Sequence, residues 1–207
     1  MSLLDAELPI VAAPMAGGPS TVDLVAAAAA AGGFGFLPAG YREPAALAST
    51  LAEARARGIP FGVNVFVPSP EPMPVTEFRR YAELIAPEGI PYGLDLAAAE
   101  PVFEDDHWAA KIDLLCAEPV AVVSFTFGFP PAGVIAALKR AGSRIAITVT
   151  NESEARTAAE LGADLLVVQG SAAGGHSGTA APERTPAAIT LTELVRRIRQ
   201  VSALPLI

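Results

Sequence analysis

A short, continuous apolar run recurs along this chain, and segments of helical periodicity lie between its recurrences. The runs are residues 10–13, 34–37, 61–67, 120–127, 145–149 and 165–169, and residues 203–207 read as the opening of a seventh. None alternates apolar with polar residues. Runs of that kind belong to a parallel sheet, because helical crossovers bury its strands on the outer face. Two architectures meet the requirement, an open doubly wound sheet and a closed barrel. Seven regular β–α repeats, with functional-looking residues where strands end, favour a TIM-type (β/α)8 barrel. Such a barrel needs eight strands and typically about 250 residues. The expectation is therefore a single barrel domain over residues 1–207, incomplete within strand 7.

The punctuation between the runs agrees. Ser20 with Asp23 reads as a capping box, and Gly32 ends the helix it opens. Pro44 suits the first position of the next helix, with Leu47, Leu51 and Ala54 inward and Gly58 at its end. Pro131 starts another, ended by Gly142, while Asn151 with Glu154 and Thr190 with Glu193 cap two more. Residues 68–118 break the rhythm and read as a helical insertion. A proline-rich extended stretch, 68–74, comes first. Thr76 then caps a helix with Phe78, Tyr81, Ala82 and Ile85 on one face, and a second helix near Asp106 carries Trp108, Ile112 and Leu115. Such an excursion suits a lid or a homodimer contact.

Composition narrows the partners. A net charge of −8, with no Lys/Arg cluster, argues against nucleic acid. The single cysteine, Cys116, excludes an internal disulfide and a cysteine-based zinc cluster, and two isolated histidines do not make a metal site. The first residues carry no basic, apolar leader, and the longest apolar stretch, around residues 25–31, is too short to span a membrane. These readings place the protein in the cytoplasm.

Three stretches carry chemistry. Gln169-Gly170-Ser171-Ala172-Ala173-Gly174-Gly175-His176-Ser177-Gly178 directly follows a buried strand. Small residues there let a ligand reach the backbone, bare N–H groups can bind an anion or a ring carbonyl, and His176 can donate a hydrogen bond or take a proton. Ala13-Pro14-Met15-Ala16-Gly17-Gly18 makes a second tight turn after strand one. Asn64 is a polar amide inside an apolar strand, where an unbonded amide costs roughly 1–3 kcal/mol. Asn64 and Gln169 can together present donor and acceptor to the edge of a heterocycle. The bland readings are a flexible loop with a surface histidine, an ordinary turn and a structural amide. Ser124, Thr126, Thr148 and Thr150 read as satisfied core hydroxyls, His107 as a surface residue at a helix start and Cys116 as buried packing.

Taken together, Pro14-Met15-Ala16-Gly17-Gly18, Gly62-Val63-Asn64 and the Gln169 to Gly178 loop closely resemble the nitronate monooxygenase family, over nearly the whole chain. The resemblance implies a (β/α)8 barrel with FMN across its C-terminal mouth. It implies that Met15, Asn64, Gln169, Gly174 and Gly175 contact FMN and that His176 sits above the flavin, where substrate binds. The implied reaction turns a nitronate or nitroalkane and oxygen into a carbonyl compound and nitrite. In that family the FMN phosphate is held by glycine-rich loops after strands seven and eight, which this sequence does not contain. Two other functions stay open. One is an FMN-dependent enoyl-acyl-carrier-protein reductase or NAD(P)H:quinone reductase of the same fold. The other is a truncated, non-catalytic interaction module.

Overall fold

The structure is a computed structural model that describes Leu4 and residues 6–207. Six strands, β1 (Val11–Ala12), β2 (Phe34–Pro38), β3 (Gly62–Phe66), β4 (Val122–Thr126), β5 (Arg144–Val149) and β6 (Leu165–Val168), form one sheet in the order β1-β2-β3-β4-β5-β6. Every pairing is parallel. A doubly wound sheet reverses its strand order at a switch point, and a barrel does not. The unbroken order agrees with the barrel-type reading that the sequence favoured over the doubly wound sheet, and the molecule is a parallel α/β half-barrel. Leu206 makes a parallel bridge to Leu166, and the Ile207 amide donates to the Leu166 carbonyl at 2.8 Å, so the chain beyond Ala203 does pair beside β6.

Alternation along the strands separates two faces. Leu37, Val63, Val65, Phe125 and Ile147 point outward into the main core, where helices pack on them. Those helices are α1 (Val22–Ala30), α2 (Pro44–Ala56), α4 (Trp108–Ala117), α5 (Ala132–Ala141), α6 (Glu152–Glu160) and α7 (Leu191–Val201). Their contributions include Val25, Leu51, Leu115, Leu138, Ala158 and Ile198, each with no exposed surface. The intervening strand residues Phe34, Phe36, Val122, Ala146 and Leu165 form a smaller inner cluster with Leu4. Burying an aliphatic side chain of this size stabilises by roughly 1.5–3 kcal/mol, so the outer layer carries most of the stability.

The helix ends largely follow the sequence signals. Asn151 accepts from the Glu154 amide and Thr190 from the Glu193 amide, as expected of their caps. The start of α1 differs: Thr21, not Ser20, is the cap and accepts from the Leu24 amide. Ser20 lies one residue earlier with another task, described below. Pro131 is the cap of α5 and not its first residue.

Residues Pro68–Asp105 form a second compact unit, which holds α3 (Val75–Gly89) and a 3₁₀ turn over Ile90–Tyr92. The unit ends at Asp105 and not at residue 118, because α4 buries Ile112 and Leu115 in the core of the first unit. Within the second unit α3 starts at Val75, after Pro74, and not under a Thr76 cap. Of its expected apolar face only Ala82 is buried, and Tyr81 is 57% exposed. Among the described residues no helix is long and apolar enough to cross a membrane.

Candidate active site

In a parallel sheet every strand presents its C-terminal end at one edge, so the loops that follow the strands collect there. The inner face changes character along its length. Near the strand starts it is Phe34, Phe36 and Val122, and toward the ends it becomes Asn64, Ser124, Thr126 and Thr148. Register places Asn64 beside Ser124 and Phe66 beside Thr126. Asn64 and Ser124 are 4% and 3% exposed, so their polar atoms need partners. The Ser124 hydroxyl donates to Asn64 Oδ1 at 2.8 Å, and Thr126 Oγ1 donates to the same oxygen at 3.0 Å. Thr126 and Thr148 hydroxyls are 3.2 Å apart. Among the described residues Asn64 Nδ2 makes no hydrogen bond, which leaves its two N–H donors unspent at the polar end of the inner face.

The glycine-rich loop closes onto this cluster. A Cβ on Gly178 would lie 2.7 Å from Thr148 Cγ2 and 3.2 Å from Thr126 Cγ2, so only glycine lets the backbone settle on the two threonines. Gln169, the residue after β6, donates from Nε2 to the His176 carbonyl at 3.0 Å and accepts from the Gly178 amide at 2.5 Å. Both ends of its amide thus shape the loop it begins. Between those anchors Gly174 and Gly175 have open space where a side chain would stand, and residues 171–177 are exposed. The His176 ring meets the edge of Phe127 at a centroid distance of 6.3 Å. Phe127 in turn meets Phe66 at 4.8 Å, and Phe66 meets Tyr41 at 5.4 Å, so an aromatic row runs along the mouth.

Two features that the sequence reading did not assign hold the mouth loops. Ser20, fully buried, accepts from the Met15 amide and donates to the Ala13 carbonyl, each at 2.8 Å. It pins the turn after β1 and leaves Met15 43% exposed at the sheet edge. Glu154, 5% exposed in the first turn of α6, clamps the far end of the glycine-rich loop. One carboxylate oxygen accepts from the Thr150 amide at 2.6 Å and its hydroxyl at 2.9 Å. The other accepts from the Thr179 hydroxyl at 2.6 Å and the Ala180 amide at 3.0 Å. A cleft of about 220 Å³ lies beside the loop, lined by Thr150, Gln169, Gly175, His176, Ser177 and Pro186 among others. That is below the ~300–1,000 Å³ of ordinary small-molecule sites, so it can take part of a ligand only.

The structure thus brings Asn64, Gln169, Gly174, Gly175 and His176 to one edge, with Met15 at the same edge of the sheet. His107 and Cys116 lie apart from it. His107 pairs with Glu43 at 3.2 Å, and burial pushes the Cys116 thiol up, away from the thiolate. Among the described residues no group of three or more metal-binding side chains is gathered.

Fold and site together define a barrel-type α/β protein with a polar, glycine-looped C-terminal mouth. The nitronate monooxygenase family model matches residues 2–207, and the chain belongs to that family. It is 34% identical over 202 residues to a probable nitronate monooxygenase of Bacillus subtilis (strain 168), covering 96% of this chain and 57% of that protein. It is 35% identical to the nitronate monooxygenase of Paraburkholderia phytofirmans, covering 100% of this chain and 57% of that protein. The chain thus spans somewhat over half the length of these relatives. Among solved structures, nitroalkane oxidase from Streptomyces ansochromogenes superposes with a TM-score of 0.84 at 39% identity, over 98% of this chain and 58% of that one. FabK from Thermotoga maritima superposes with a TM-score of 0.69 at 26% identity, over 98% and 50%.

Proposed function

We propose that this chain is the front part of a (β/α)8 barrel, carrying a helical insertion after strand 3. The whole protein would oxidise nitronates with oxygen to a carbonyl compound and nitrite, using FMN at the C-terminal mouth. The observation that carries this reading is the hydrogen-bonded run from Asn64 through Thr126 to Thr148, with Gly178 of the His176 loop packed closely on the two threonine methyls. It gives this member of the family one edge at which every candidate residue is available.

The residues fit a flavin. Asn64 Nδ2 has donors to spare for the edge of the ring, and Met15 offers exposed thioether surface at the end of β1. Gly174 and Gly175 bring bare backbone with room beside it, and Gln169 fixes where that backbone lies. The cleft of about 220 Å³ is too small for the whole nucleotide. We therefore assign the phosphate to loops in the part of the relatives' length that this chain does not span. When bound, FMN supplies the electron acceptor and the reactivity toward oxygen. The protein's part is to orient the substrate, and His176 is the residue proposed to do so or to exchange a proton with it.

Steady-state kinetics of His176→Asn in the full-length enzyme test the assignment, beside a thermal melt and a flavin count. Turnover of a neutral nitroalkane, which must lose a proton, is expected to fall about 10²–10⁴-fold. A pre-formed nitronate loses only orientation and is expected to suffer less. Unchanged kcat/KM for both forms, with flavin fully bound, would remove His176 from catalysis. Rapid flavin reduction by NADH but not by nitronate would move the protein to the reductase reading. A full-length protein that takes up no flavin would leave the non-catalytic one.

A further inference from the structure

Alternation sends Phe125 outward into the helix-covered core and Thr126 inward to the Asn64 cluster. Continued extension would turn Phe127 outward again. Instead Phe127 takes a left-handed backbone, φ +72, and its ring lies at the mouth between Phe66 and His176. A bulky side chain rarely adopts that conformation, and such strain persists only where the surroundings over-determine it. Here they do. The Phe66 ring packs against Phe127 with an interplanar angle of 60° and has no room to retreat, since even a Cβ on Gly40 would come within 2.2 Å of it. Tyr41, also left-handed at φ +61, closes the row, and its amide donates to Asp106 Oδ1 at 3.0 Å. His176 has no comparable support of its own. Among the described residues its imidazole makes no hydrogen bond, its glycine neighbours offer no side chain, and its aromatic contact is Phe127, nearly perpendicular at 84°.

We propose that Phe127 is a positioning residue for His176: the strained backbone carries its ring to the mouth, where it sets the orientation of the imidazole. The proposal rests on the catalytic reading of His176. It is tested in the full-length, flavin-loaded enzyme with Phe127→Leu, Phe127→Gly, Phe127→Tyr, His176→Asn and the Phe127→Leu/His176→Asn double variant. Phe127→Leu is expected to lower kcat about 10- to 10²-fold, the scale of a misplaced catalytic group, with flavin content kept. It is also expected to shift the His176 imidazole proton resonances, which the phenyl ring current displaces. Phe127→Gly suits the left-handed backbone and folds readily, yet it is expected to lose as much turnover, because the ring is what matters. Phe127→Tyr is expected to restore turnover to within a few-fold. The double variant is expected to be no slower than His176→Asn alone.

Three results would overturn the proposal: unchanged imidazole resonances in Phe127→Leu, full activity in Phe127→Gly, or multiplying losses in the double variant. Wild-type turnover in His176→Asn is a separate failure. It sinks the catalytic reading itself, and the proposal with it, before any Phe127 result is read.

Discussion

Two buried charged groups brace the mouth, and they do so in opposite ways. Glu154 is surrounded by donors, two of them main-chain amides (Thr150 and Ala180) and two of them threonine hydroxyls. Lys111, with no exposed surface, has an ion pair to Asp106 at 2.7 Å but no hydrogen bond, and Asp106 Oδ2 is buried without one. The first arrangement is saturated and the second is not. Amides cannot be mutated away, so the acceptor that faces them is irreplaceable. A pair made of two side chains can be removed as a unit, and doing so is often neutral or stabilising, whereas removing one partner strands the other.

Substitutions can break this contrast. Glu154→Ala leaves two amides and two hydroxyls without their acceptor, and chemical denaturation is expected to show a loss of about 4–6 kcal/mol, reduced only where water enters. A loss below about 1 kcal/mol would mean that Thr179 and Ala180 find other partners. Lys111→Ala is expected to cost about 3 kcal/mol, because Asp106 stays behind partly buried. Lys111→Met with Asp106→Asn is expected to lie within about 1 kcal/mol of the parent. Asparagine still accepts from the Tyr41 amide and tolerates the φ of +54 at that position. A double variant as unstable as the single one would place Lys111 in the same irreplaceable class as Glu154.

The smallest effect is expected at Glu193, which occupies the same helical position in α7 that Glu154 occupies in α6. Its hydrogen bonds to Arg196, then to Arg197, hold the carboxyl at about 2 against an ordinary 4.5. A lowered value stabilises the folded form above pH 4.5, and that contribution fades as pH falls from there toward 2. Protection of the first-turn amides of α7, relative to their intrinsic exchange rates, should fall over that window, and that fall should be absent in Glu193→Gln. The carboxylate is about a third exposed (31%) and its arginine partners are open to solvent, so screening should leave global stability barely moved. A large global effect would show that geometry at this helical position, and not burial, sets the worth of Glu154.

Much of the fold was legible in the sequence because it depends on local chemistry. The apolar runs gave the strands, and Asn151, Thr190 and the glycine ends gave the helix limits. Sequential strand order was legible only through the regular β–α repeat that favours a barrel, because which run pairs with which is not a local property. Ser20 and Thr21 are adjacent and both can cap, and only the fold decides that Thr21 caps while Ser20 ties the turn after β1. At the candidate site, a polar amide within an apolar run singled out Asn64, and the glycine-rich stretch singled out Gln169 and His176. Neither signal could show that Gln169 turns its amide onto its own loop, because side-chain direction is settled by packing. Glu154 was visible as a partner in a helix cap. Its role as a clamp was hidden by a partner 25 residues away. Lys111 was not singled out in the sequence, and its complete burial follows only from where α4 packs.

The alternating faces of the sheet also bear on how this protein could be redesigned. Asn64, Ser124, Thr126 and Thr148 are interleaved in sequence with Val63, Val65, Val123, Phe125 and Ile147, yet the two sets touch different partners. Asn64, Ser124, Thr126 and Thr148 can be randomised as a combinatorial library while Gly62, Val122, Ala146 and the odd-numbered positions stay fixed, with little loss of folding yield expected from small polar exchanges. Selectivity for one small molecule over another is then open to selection without a stabilising mutation having to be found first.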